Sequence, residues 1–147
     1  MSMMFPHLFS PIKIGAVKIP NRICFSANST NFATHGLINE QHIAYYEERA
    51  KGGCGLIILG ELSIHPTDRP YEQMIEAYDG KVVVGYQALT SAIHEHPTQI
   101  FAQLNHSGFQ CDGCTSRFPV LGPSSLLDIE FGEAAKMMEP EDIRAVV

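Results

Sequence analysis

The sequence predicts an α/β fold built on a parallel sheet, and three observations predict it. Strand-like and helix-like segments alternate along the chain. The strongest strand candidate, Gly55-Leu-Ile-Ile-Leu-Gly60, is a continuous apolar run. Such a run suits a parallel strand covered on both faces. Between the strands, apolar residues recur at helical spacing. This alternation gives a parallel sheet with right-handed crossovers. Two architectures satisfy it: an open doubly wound sheet, and the first part of a (β/α)8 barrel, which takes roughly 250 residues when complete.

Each element has its own signal. Ile12-Lys-Ile-Gly-Ala-Val-Lys-Ile19 alternates on both sides of Gly15-Ala16 and reads as a β-hairpin. Arg22-Ile-Cys-Phe-Ser26 is a short apolar strand, followed by small and polar residues from Ala27 to Gly36. Asn39 is a good N-cap, and Glu40 suits the positive helix start. Ile43, Tyr46 and Ala50 then mark one helical face, and Lys51-Gly52-Gly53 is a stop signal. The apolar strand ending at Gly60-Glu61 comes next, then a loop from Ser63 to Pro70. Val82, Tyr86, Leu89 and Ile93 mark a second helix, with Asp79 as its expected cap and Pro97 as its terminator. Gln99-Ile-Phe-Ala-Gln-Leu-Asn-His-Ser-Gly108 is a third strand. A long loop is expected from Phe109 to about Met138. Pro140, Glu141 and Asp142 open a final helix.

Composition narrows the function classes. The chain has 147 residues, 45% hydrophobic and 18% charged, which is enough for one packed domain over 1–147. A net charge of −6 argues against a nucleic-acid partner, which needs a basic face. No apolar run reaches the roughly 18 residues of a membrane span. The N-terminal segment lacks the basic start and long apolar stretch of a signal peptide. Four cysteines in a chain this long do not form a disulfide scaffold. These points predict a cytoplasmic protein in a reducing setting.

The strand ends carry the candidate chemistry. The first strand ends in Ser26-Ala27-Asn28-Ser29, the second at Gly60-Glu61, and the third at Gln103 and His106. In a parallel sheet these ends share one side, where ligands gather. Small residues admit a flat ligand close to the backbone, and a glutamine amide both donates and accepts. Alternation puts Phe101 and Gln103 on one face of the third strand. Ile100, Ala102 and Leu104 are then expected beneath covering helices. The competing reading of Gln103 is an internal hydrogen bond to neighbouring backbone.

Other motifs carry less. Cys111-Asp-Gly-Cys114 is a CxxC motif that leaves a redox or metal module as a distant alternative, but one CxxC is only half of what a four-ligand zinc site needs, and it is expected in a loop. Cys24 and Cys54 read as small core residues. His94 and His96 lack metal-ligand spacing, so no metal is expected. His106 is expected to fix the turn at Gly108, His65 to be solvated, and Tyr45 and Tyr46 to be packing residues.

Several segments together resemble one family. They are Leu8-Phe-Ser-Pro-Ile12, Pro20-Asn-Arg-Ile23, Tyr46-Glu-Glu-Arg-Ala-Lys-Gly52, Gly55-Leu-Ile-Ile58, Gln103-Leu-Asn-His-Ser-Gly108 and Pro123-Ser124. In order and spacing they resemble the N-terminal part of the old yellow enzyme family of FMN-dependent oxidoreductases. The closest likeness is to the branch with 2,4-dienoyl-CoA reductases and NADH:flavin oxidoreductases.

The resemblance implies the N-terminal part of a (β/α)8 TIM barrel, with a hairpin and about three βα units. It implies an FMN site at the barrel mouth, with NAD(P)H as reductant and an activated C=C bond as substrate. By position, Ser26, Ala27, Asn28 and Ser29 would line the flavin ring. Gln103 would bond its pyrimidine edge, and Asn31 would touch substrate. Glu61 stands where the family has glycine or alanine, so its backbone is the expected contact. The family's substrate-activating pair and phosphate-binding groups come from later strands, so no catalytic residue is assigned. The segment alone is expected to be inactive. The alternative is a non-catalytic α/β module that forms homo-oligomers through its open sheet edges.

Overall fold

A computed structural model describes residues 4–147. Residues 1–3, part of the N-terminal segment considered above for a leader, lie outside them. The hairpin forms as expected: β1 (Ile12–Ile14) pairs antiparallel with β2 (Val17–Ile19). Gly15 turns it with a φ of 57°, a left-handed conformation that glycine adopts without steric cost.

A four-stranded sheet forms the body of the molecule. Its central strand is β4 (Leu56–Ser63), which pairs parallel with β3 (Cys24–Phe25) and with β6 (Gln99–Asn105). The short β5 (Ile75–Glu76) also pairs parallel with β4, at its far end. Helix α1 (Glu40–Lys51) connects β3 to β4, and α2 (Val82–His94) leads into β6.

Local chemistry explains the helix boundaries. The Asn39 Oδ1 accepts from the His42 backbone N–H at 3.2 Å. Its Nδ2 donates to the Phe32 carbonyl and to Thr34 Oγ1, so the cap is tied to the loop before it. Asp79 does not cap α2. Its Oδ1 accepts from the Lys81 N–H two residues on, and α2 begins without a side-chain cap.

The core lies between the sheet and the two helices. Tyr46 and Ala50 of α1 and Leu89 and Ile93 of α2 close on Ile57, Leu59 and Leu62 of β4. Removing these side chains from water is the main drive for the arrangement.

Several expectations need correction. The second strand does not end at Gly60-Glu61. It runs on to Ser63, and its register against β6 shifts between Leu59 and Leu62. The Gly60–Glu61 peptide within that shift is cis. Ile100 packs against the core as expected, but Ala102 and Leu104 do not lie beneath helices. Leu104 is 66% exposed. The reason is topological. Helix α4 (Pro140–Val146), the next long enough to cover β6, has no buried residue. Cys54 is buried, but Cys24 is exposed on β3, since that strand meets a partner on one side.

The long loop after Phe109 is also more ordered than expected. It contains α3 (Gly113–Ser116) and a parallel pair, β7 (Leu121–Gly122) with β8 (Lys136–Met137). Cys111, Val120 and Ala135 form a small second core there, with Phe109 packed against it.

Candidate functional site

The ends of β3, β4 and β6 meet around one open cleft of about 490 Å³. Ala27, Asn28, Ser29, Asn31, Glu61 and Gln103 line it. Sequence reasoning missed one further lining residue, Tyr71. Its signal was an aromatic after Pro70 in the loop beyond the second strand. Ser26 is exposed but does not line the cleft.

Gly60 sets the spacing of the floor. A Cβ at this position would lie 2.9 Å from Gln103 Oε1, 3.0 Å from Gln103 Cβ and 2.9 Å from Ala27 Cβ. The segment after β3 and the strands β4 and β6 therefore touch at one level, and only a glycine in β4 permits it. The Gln103 side chain is exposed rather than tied into the fold, so its amide is open to a ligand.

Asn31 has a structural tie of its own. It adopts a φ of 50°, and its Oδ1 accepts from the Gln73 N–H at 2.8 Å. That bond fixes the far wall of the cleft and leaves the Asn31 amide donors for other partners. Glu61 has its carboxyl pushed up from the usual range, chiefly by burial and secondly by the nearby Asp68 carboxylate.

Behind the cleft, the loop after β4 is pinned to the end of β6. Asp68 is fully buried, and its Oδ1 accepts from the Ser107 N–H at 2.7 Å and from Cys111 Sγ at 3.3 Å. His106 Nδ1 accepts from the Gly108 N–H at 3.1 Å, and its Nε2 lies 3.3 Å from Thr67 Oγ1. With Nδ1 accepting, the proton sits on Nε2 and the imidazole is neutral. Burial lowers its pKa, the Asp68 carboxylate opposes that shift, and His65 adds to it. His106 thus fixes the Gly108 turn, where φ is 65°. His65 is not simply solvated, because its Nδ1 lies 2.9 Å from Thr67 Oγ1.

The CxxC pair does not act as a unit. Cys111 is buried and Cys114 exposed, and both thiols are free. Cys114 sits at the start of α3, which Asp112 caps, rather than in an open loop. Burial, then Asp68, pushes the Cys111 thiol up to about 12, which makes it a poor nucleophile. No group of three or more metal-ligating side chains occurs among the described residues.

The cleft fits one edge of a planar, hydrogen-bonding ring such as the isoalloxazine of FMN. A side-chain-free floor at Gly60 admits the Gln103 amide, and small residues follow β3. No lysine, arginine or histidine lines the cleft, so a phosphate finds no cationic partner there.

Comparison with known proteins agrees with this geometry. Residues 7–147 match the model of the NADH:flavin oxidoreductase / NADH oxidase family. The chain is 34% identical over 99% of its length to the N,N-dimethylglycine/sarcosine dehydrogenase of Chromohalobacter salexigens. It is 32% identical over 97% of its length to the NADH oxidase of Thermoanaerobacter brockii. It spans only 22% of either relative. The old yellow enzyme homologue from Zymomonas mobilis superposes with a TM-score of 0.85 at 26% identity, over 95% of this chain and 41% of that one. The sheet, its helices and the hairpin are thus a portion of a (β/α)8 barrel, and the chain belongs to the NADH:flavin oxidoreductase / NADH oxidase family.

Proposed function

We propose that the chain is part of an FMN-dependent NAD(P)H oxidoreductase of the ene-reductase type. The observation that carries this reading is the meeting of Gly60 on β4, Gln103 on β6 and Ala27, just past β3, at one level. Bound FMN supplies the hydride chemistry, between NAD(P)H and an activated C=C bond. The chain's residues bind and orient. Gln103 presents an amide to the pyrimidine edge of the ring. Ala27, Asn28 and Ser29 offer a low wall, with Ser26 beside them. Glu61 contributes its backbone. The free amide donors of Asn31 face substrate. The groups that hold the phosphate and protonate the product come from outside these residues, so the chain by itself is inactive. Four cysteines in 147 residues are too few for a disulfide scaffold, which favours a reducing, cytoplasmic setting.

The test is titration of the chain with FMN, followed by flavin fluorescence and absorbance. Saturable uptake is expected, and Gln103→Ala should weaken it about three- to tenfold, the value of one hydrogen bond. Uptake unaffected by Gln103→Ala, or no uptake at all, would remove the assignment of this cleft as a flavin platform.

A further inference from the structure

Helix α1 carries a buried polar atom that the fold does not satisfy. His42 is 1% exposed, and its Nε2 has no hydrogen-bond partner among the described residues. The other ring nitrogen turns back to the helix start. There Nδ1 lies 3.0 Å from Asn39 Oδ1 and 3.4 Å from the Asn39 backbone nitrogen. His42 also forms a wall of a small cavity of about 10 Å³. Ser29, Thr30, Asn31, Glu61 and Gln73 are its other polar walls. Ser29, Asn31 and Glu61 line the cleft assigned to the flavin as well, so a single wall separates the cavity from that cleft.

We propose that this cavity is a binding site for one long-lived water molecule, and that His42 acts through that water as a positioning residue for the cleft wall of Ser29, Asn31 and Glu61. A buried polar group without a partner is costly, and internal water is the usual remedy where a cavity is polar and large enough. A volume of about 10 Å³ admits one water and no larger group. A metal ion is not the occupant, because no group of three or more ligating side chains occurs among the described residues.

The tautomer of His42 agrees with this role. The Asn39 Nδ2 donates to the Phe32 carbonyl and Thr34 Oγ1, so its oxygen faces the ring. The shorter contact, to that oxygen, puts the imidazole proton on Nδ1. Burial pushes the pKa of His42 down to about 4, which keeps the ring neutral at pH 7. Nε2 then keeps its lone pair, to which a water donates. The walls meet the rest of that water's bonding with hydroxyls from Ser29 and Thr30 and an amide from Gln73. The Phe32 ring stands edge-on to His42 at 5.8 Å and holds its plane. The service of this wall to a flavin rests on the function proposed above; the water site itself does not.

The test is water-to-amide cross-relaxation in NMR spectra of the whole chain without FMN. Cross-peaks of the sign given by long-lived water are expected at Glu61, Met74 and Ile75. Met74 and Ile75 line the cavity and are 2% and 5% exposed, so bulk water does not reach them. His42→Phe keeps an aromatic ring and removes Nε2. It should lose the cross-peaks and move the amide signals of Ser29, Asn31 and Glu61. His42→Gln returns a polar atom near the Nε2 position and should restore both. The Ser29 and Thr30 hydroxyls are present in all three proteins, so a signal relayed through them survives in His42→Phe. Amide dispersion confirms that each variant is folded, and the wild-type cross-peaks decide the water site without any variant. Their absence in the wild type, their persistence in folded His42→Phe, or unmoved Ser29, Asn31 and Glu61 signals in that variant would overturn the proposal. FMN titration of the same samples separates the two readings. His42→Phe should weaken FMN uptake about threefold, within the range of one hydrogen bond, and His42→Gln should not. Equal FMN affinity in all three removes the positioning role. Cross-peaks without FMN uptake remove the flavin platform alone, and FMN uptake without cross-peaks removes the water site alone.

Discussion

Gly60 shows how one residue constrains the site. A methyl group there meets the Gln103 amide and Ala27 within about 3 Å, as the distances of 2.9, 3.0 and 2.9 Å require. Gly60→Ala should therefore cost about 1–3 kcal/mol of stability from overpacking. It should also weaken FMN uptake, because Gln103 must move. Urea unfolding and flavin titration read the two effects, and an unchanged FMN affinity would show that Gln103 does not contact the ring. His42 gives a pH prediction. Burial lowers its pKa from 6.5 to about 4, and its Nε2 has no partner. The unfolded chain then binds the proton more readily, so this contribution is complete above about pH 6.5 and is lost as pH falls towards 4. Between pH 7.5 and 5.5 stability should drop by about 1 kcal/mol, and His42→Asn should flatten that part of the profile. Gln103 and Glu61 stand out in the sequence because polar residues interrupt apolar runs. Tyr71 does not, because an aromatic in a loop has no period to mark its direction.

Among the elements, α1 was the most legible. Asn39 and the Lys51-Gly52-Gly53 stop bound it, and Tyr46 and Ala50 of its apolar face are buried with Ile43 partly so, although the buried His42 beside them was not expected. Asn39 also anchors the preceding loop through Phe32 and Thr34. Asn39→Ala should cost about 1–2 kcal/mol. Asn39→Asp keeps the cap oxygen but loses both outward donors, so it should fall between the two in thermal unfolding. An Asp variant no better than Ala would show that the loop tie outweighs the cap. The strands and turns of β5, α3, β7 and β8 escaped the sequence because elements of two to four residues carry no periodicity. Their positions depend on distant partners: Leu121 pairs with Lys136, and Leu62 with Ile75. The over-run of β4 past Gly60 has the same origin. Glycine and glutamate look like a strand end, yet pairing of Leu62 and Ser63 with Leu104 and Asn105 carries the strand on.

On the scale of the whole molecule, the uncovered face of β6 matters most. Leu104 is 66% exposed at a sheet edge, an invitation to self-association. Leu104→Lys should lower self-association in sedimentation or light scattering and leave stability within about 0.5 kcal/mol, as surface changes usually do. Undiminished association would place the contact elsewhere, for instance on the exposed Leu126, Leu127 and Ile129.

The order of strands and helices, the parallel sheet and the hairpin were determined by the sequence alone. Each depends on local period, capping or turn chemistry, which neighbouring residues specify between themselves. The meeting of Gly60 with Gln103 and the buried Asp68 that joins the loop after β4 to the end of β6 were decided only by tertiary structure. They join residues about 40 or more positions apart in the chain, a separation that local propensities cannot read and only the closing of the sheet brings into contact.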